Sequence, residues 1–198
     1  MAVLNSKYLF WILLALPAWP LLPEVFVRER YYPEVMHESG VLSVQFMVLA
    51  LAITPLMKLT GGWRPIRWLL VRRRAIGVAA FGYAALHAGI YIREIGSLEL
   101  VFLELADWFI LVGWIATLLL LALAVTSNNR SQRILGARWK TLQRASYIAL
   151  ALSLYHWWLV GHFMMLLAWW ALPIAALQLL RLLWRSKSSS KLEAAKQQ

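Results

Sequence analysis

Residues 79–92 read AAFGYAALHAGIYI and residues 147–160 read YIALALSLYHWWLV. Both read as parts of membrane-spanning helices, and each carries a single imidazole, His87 in the first and His156 in the second. Ionisable side chains inside a bilayer are costly, so they mark functional sites. Each histidine lies thirteen residues after a polar residue at the start of its stretch, Arg74 and Gln143. That is about 20 Å along a helix rising 1.5 Å per residue. Two imidazoles at matching depth on two spans are the pattern a haem within a bilayer requires, one axial ligand from each side.

Composition sets the setting for those two stretches. Of 198 residues, 62% are hydrophobic and only 15% are charged, more apolar surface than a soluble domain of this size could hide. The expectation is an all-α, polytopic membrane helix bundle. The length gives room for about six spans of roughly 20 residues, which leaves nothing for a second folded domain. Cysteine is absent, which excludes disulfides, iron–sulfur clusters, thiolate metal sites and covalent haem attachment through C-x-x-C-H. Metal or cofactor chemistry therefore rests on His37, His87, His156 and His162.

Six spans are expected at 7–24, 40–58, 74–92, 107–126, 143–163 and 166–184, with SLELVFLELAD (97–107) as a short interfacial helix. Pro17, Pro20 and Pro23 kink or end the first. The poor cleavage site and the prolines argue against a cleavable signal there. Net charge is +11, and the basic residues bracket the spans rather than forming a groove-reading face, so nucleic acid is not the expected partner. Seventeen of the twenty Lys and Arg fall in Lys7, the 58–74 loop, the 130–144 loop and the C-terminal tail. Only Arg28, Arg30 and Arg93 fall on the other side, which carries eight of the nine acids. This asymmetry predicts both termini in the cytoplasm. Most of the twelve tryptophans then belong to the aromatic belts at the two interfaces. Spans 3 and 5 run outward in parallel, which puts His87 and His156 in the outer half of the bilayer, one on each side of one haem plane.

Bis-imidazole ligation saturates haem iron, so its work is electron transfer rather than oxygen chemistry. Span 3 is rich in small residues (Gly77, Ala79, Ala80, Gly82, Ala84, Ala85, Ala88, Gly89), which would let a macrocycle or another helix approach its backbone closely. His162, six residues after His156, reads as interfacial, and His37, before Gly40, as an outer-loop residue that could touch a quinone or partner. The basic inner loops have two readings. One is topology and attraction to anionic lipid; the other is a flavin or nucleotide phosphate site using Arg72, Arg73, Arg74 and Arg138, without a glycine-rich phosphate loop to support it.

Several runs carry a family likeness. They are ITPLMKLTGG (53–62), PIRWLLVRRRAIGVAAFGYAALHAGIYI (65–92) and ALAVTSNNRSQRILGARWKTLQRASYIALALSLYHWW (122–158). The chain resembles the ferric-reductase-like transmembrane family over about 33–165, through the pattern R-R-x-x-G-x-x-x-F-x-Y-x-x-L-H, Thr126-Ser127, L-G-x-x-W-x-x-L and Y-H-W-W. The resemblance implies a b-type haem subunit of the bacterial inner membrane. It would take electrons from the quinone pool or a cytoplasmic flavin source, with FMN as a further cofactor. It would pass them to a periplasmic molybdopterin-type reductase acting on methionine sulfoxide. His87 and His156 match the family's haem-ligand positions. The family histidine at the start of span 5 is here Gln143, in TLQRASY. Glutamine is a poor haem ligand, so Arg74 and Gln143 would face one another across a degenerate inner site, leaving one haem.

The expected organisation is one transmembrane domain over 1–185 and a polar cytoplasmic tail over 186–198. The expected function is haem b electron transfer to an external reductase or another membrane complex. The competing expectations are an accessory membrane subunit that kept the fold without the cofactor, and a ferric-reductase-like metalloreductase component. A transporter is disfavoured, because the inner halves of the spans hold almost no acids.

Overall fold

The computed structural model describes residues 6–23 and 32–161, together with 169, 172, 176 and 178. Its elements are α1 (Lys7–Ala15), continued by a 3-10 turn over Leu16–Ala18, α2 (Tyr32–Leu59), α3 (Arg64–Ile95), a short α4 (Leu98–Glu104), α5 (Trp108–Val125), a short α6 (Asn129–Leu135) and α7 (Ala137–Val160). Among the described residues there is no strand. The protein is an all-α membrane bundle. Residues 34–59, α3 and α5 are long and apolar enough to cross a membrane. In α7, Gln143, Arg144, Ser153 and His156 dilute the apolar character of a 24-residue helix.

The bundle is two helix pairs. α2 packs chiefly on α3 and α5 chiefly on α7; contacts of α3 with α5 and of α2 with α7 join the pairs. The α2–α3 turn is tight because Gly61 and Gly62 take φ of 61° and 89°, a left-handed conformation that glycine adopts without steric cost. Val44, Leu51, Ala80, Ala84, Leu120, Leu123, Leu150 and Trp157 form the core where the four helices meet. Ala80 is fully buried, and its carbonyl accepts from Ser43 Oγ at 2.9 Å. Leu118, Val125 and Ile148 stay exposed on the outside, as residues facing lipid should. α1 leaves its α-helical path at Pro17, as the prolines predict. Its stranded Leu14 carbonyl accepts from Tyr83 Oη of α3 at 2.8 Å.

Three helices run further than the hydropathy pattern predicts. α2 begins at Tyr32 rather than near 40, so His37 is helical and not a loop residue. α3 begins at Arg64 rather than 74, with Pro65 in its first turn, where the missing N–H costs nothing. The arginines before residue 74 do not break this helix, because their stems lie along apolar surface; the Arg72 guanidinium sits 4.0 Å from the centre of the Trp68 ring. The expected 130–144 loop holds α6 and the first turns of α7. Span 6 and His162 lie outside the described residues, apart from the four positions named above.

Pro55 sits inside α2 and has no N–H to give to the Leu51 carbonyl four residues earlier. In a membrane interior such a carbonyl needs a protein partner. Gln178 Nε2 donates to Leu51 O at 3.3 Å. Arg73 supports the same break, donating to Ala50 O at 2.8 Å and to Thr54 Oγ1 at 3.3 Å. This is the physical content of the I-T-P-L run. Gln178→Leu should therefore lower stability in detergent by about 1–3 kcal/mol, the cost of stranding a buried acceptor. An unfolding midpoint equal to that of the parent would show that the Leu51 carbonyl does not depend on Gln178.

Candidate functional site

The structure brings His87 of α3 and His156 of α7 together, with ring centroids 6.3 Å apart and planes at 82°. Each ring is fixed by a neighbouring helix. His87 Nδ1 lies 2.8 Å from the Met36 carbonyl of α2, and His156 Nδ1 lies 2.7 Å from the Phe109 carbonyl of α5. A carbonyl can only accept, so both Nδ1 atoms carry the proton. Each neutral ring then holds its lone pair on Nε2, the state in which imidazole ligates a metal.

The two seats are built alike. Helical carbonyls already accept from the N–H four residues on, and the side chain there normally shields them. Four residues after Met36 stands Gly40, and four after Phe109 stands Gly113. A Cβ on Gly40 would come 3.1 Å from His87 Nδ1, and one on Gly113 would come 2.9 Å from His156 Nδ1 and Cε1. The glycines open the carbonyls to a second donor. These are the functional positions that hydropathy and spacing miss. The small residues of α3 do not play this part: a Cβ on Gly77, Gly82 or Gly89 would meet nothing within 4 Å. The available signal was a glycine in each of two other spans, but the sequence does not say which histidine each one serves.

Among the described residues, no group of three or more His, Cys, Asp or Glu is placed to hold a bare metal ion. Two imidazoles suit a metal whose remaining ligands come from a macrocycle. Two metal–imidazole bonds of about 2.0 Å, plus roughly 1 Å from each nitrogen to its ring centre, span about 6 Å. The observed 6.3 Å separation fits that span. His37 lies beside this pair, its ring edge-on to buried Trp157 at 5.8 Å.

The inner end differs from the expectation that Arg74 and Gln143 face one another. Arg74 donates to Asn129 Oδ1 at 2.8 Å and to Gln132 Oε1, both on α6, and its guanidinium lies 5.0 Å from the Trp139 ring centre. Gln143 Nε2 instead meets the end of α5, at 3.3 Å from Leu123 O and Thr126 Oγ1 and 3.5 Å from Ser127 Oγ. The physical reason is the acceptor-rich end of α5, where the Leu123 carbonyl and the Thr126 and Ser127 hydroxyls gather and offer a carboxamide acceptors that an arginine side chain cannot provide.

The chain belongs to the ferric reductase like transmembrane component family, whose profile matches residues 39–154. That match includes Arg74, His87 and Gln143 and ends just before His156. Among curated proteins it is similar to the "Protein-methionine-sulfoxide reductase heme-binding subunit MsrQ" of Brucella ovis and of Brucella canis, at 38% identity over 154 residues in each case. The similarity covers 75% of this chain and 66% of each relative, so the chain spans just under two thirds of their length. No solved structure matches it.

The seats make a prediction that needs no cofactor. In protein with 15N-labelled histidines, both His87 and His156 should give the Nδ1–H tautomer. Gly113→Ala should move the His156 signals alone, and Gly40→Ala those of His87 alone. Unmoved signals in either variant would show that the glycine does not seat its histidine.

Proposed function

We propose that this chain is a haem b electron-transfer subunit of a bacterial inner-membrane system, with His87 and His156 as the axial ligands of one haem. The observation that carries this reading is the pair of imidazoles, each held through Nδ1 by a helix carbonyl, with centroids 6.3 Å apart. His87 and His156 would hold such a haem, which would supply one-electron transfer. The chain's own residues do the rest. Met36 and Phe109 orient the rings, Gly40 and Gly113 make room for them, and the apolar core keeps water away.

The similarity to the Brucella proteins supports methionine sulfoxide reduction as the downstream reaction, carried out by a periplasmic molybdopterin-type partner. Sulfoxide reduction takes two electrons and two protons and releases water, so a one-electron carrier must deliver twice per turnover. On the donor side we favour the quinone pool over an inner flavin such as FMN. Arg72 stacks on Trp68, Arg73 holds the α2 break and Arg74 is tied to α6, so a flavin phosphate would have to displace existing contacts. A shallow, open groove of about 200 Å³ between α1 and α3, lined by residues that include Gly82, Tyr83 and Leu86, would admit a quinone from the lipid side. In this reading six spans place both termini in the cytoplasm, and 1–185 is one domain with a polar tail over 186–198.

The test is a reduced-minus-oxidised visible spectrum of purified protein with haem quantified. A low-spin b-type spectrum at about one haem per chain is expected. His87→Ala and His156→Ala should each abolish binding or leave a labile five-coordinate haem, while Gln143→Ala should leave haem content nearly unchanged. Full retention in both histidine variants overturns the ligand assignment. No haem in the parent, even when haem is supplied during expression, favours the accessory-subunit reading.

A further inference from the structure

Trp157, the residue after His156, is 7% exposed, and its indole Nε1 is a buried donor with no hydrogen-bond partner among the described residues. The other well-buried polar side chains are satisfied: Ser39 by Met36 O, Ser43 by Ala80 O and Tyr83 by Leu14 O. A bare donor in an apolar interior is unfavourable, and native structures keep few of them. Its position is specific. The His37 ring packs edge-on against the Trp157 indole, and the preceding residue, Met36, supplies the carbonyl that seats His87. The orphan donor therefore belongs to a residue that follows one imidazole in sequence and packs against the helix turn that seats the other.

Height along the bundle adds a second argument. α2 begins and α7 ends at the same end of the bundle, so His37 lies about 4.5 Å nearer that end than Gly40, by helix rise. Trp157 is one residue nearer it than His156. A haem carries two carboxylates, and charged groups in a bilayer are drawn to the nearer water boundary. Those acceptor-only groups would then pass the indole N–H.

We infer that the Trp157 indole N–H is the hydrogen-bond donor to a haem carboxylate, with His37 closing the same pocket, so that Trp157 positions the cofactor without ligating iron. This rests on the haem reading above.

The test uses the purified haem-loaded full chain. Trp157→Phe removes the donor, and benzothienylalanine incorporated at 157 removes it while keeping the bicyclic shape. Both variants should keep the low-spin spectrum, because the ligands are untouched. Haem transfer to excess apomyoglobin should run about tenfold faster than in the parent, as for loss of one hydrogen bond to a charged group. The midpoint potential should fall, because the carboxylate charge is less neutralised beside ferric iron. In haem-free protein benzothienylalanine at 157, which keeps the bicyclic shape and opens no cavity in the core, should leave the melting temperature unchanged or raised, since an orphan donor is gone. Transfer rates within about twofold of the parent and an unchanged potential would overturn the role of Trp157 while leaving the haem reading intact. A parent that takes up no haem overturns both.

Discussion

The bond from imidazole Nδ1–H to a helical carbonyl organises this molecule. A histidine that keeps Nε2 free for a metal must place its other N–H, and in a membrane bundle nearly every carbonyl is already engaged along its own helix. The solution at both rings is a carbonyl followed four residues later by glycine. α2 and α5 contain neither of the two histidines, yet they fix where both rings sit. The packing order follows from this. α3 lies on α2, α7 lies on α5, and the α3–α5 contact brings the two seated rings together.

The opposite end of the bundle has been put to other use. Gln143 gathers the end of α5, and Arg74 is drawn aside to α6 and Trp139. Trp139 Nε1 also donates to the Thr126 carbonyl at 2.9 Å. Polar side chains at this end tie α3, α5, α6 and α7 to one another. The same positions that could frame a cofactor are thereby made part of the scaffold.

Much of this was legible in the sequence because it is local. The apolar runs over 79–92 and 147–160 read directly as helices, and His87 and His156, at equal offsets from Arg74 and Gln143, do meet. The unread parts depend on partners far away in the chain. The stripe of small residues on α3 does receive α2 closely, at Ala80, but the approaches that seat the two imidazoles occur at Gly40 and Gly113. His37 read as a loop residue because Glu34, Glu38 and Gly40 look unlike a span, whereas the helix extends through them beyond the apolar zone. Gln143 and Arg74 are matched in depth, but depth does not say which neighbouring helix end offers the better acceptors.

The break at Pro55 has a consequence for how the chain is made. Its open carbonyl at Leu51 is closed by Gln178, more than a hundred residues later. During synthesis the second helix enters the membrane long before residue 178 leaves the ribosome. Until then that carbonyl has no Gln178 to accept from, and Arg73 supports the break alone. Arrival of the segment that carries residue 178 therefore completes a helix inserted near the start, and chains truncated before it would carry an open polar notch in their second helix. A quality-control protease that samples membrane helices for exposed polar backbone would find in that notch a mark of incompleteness.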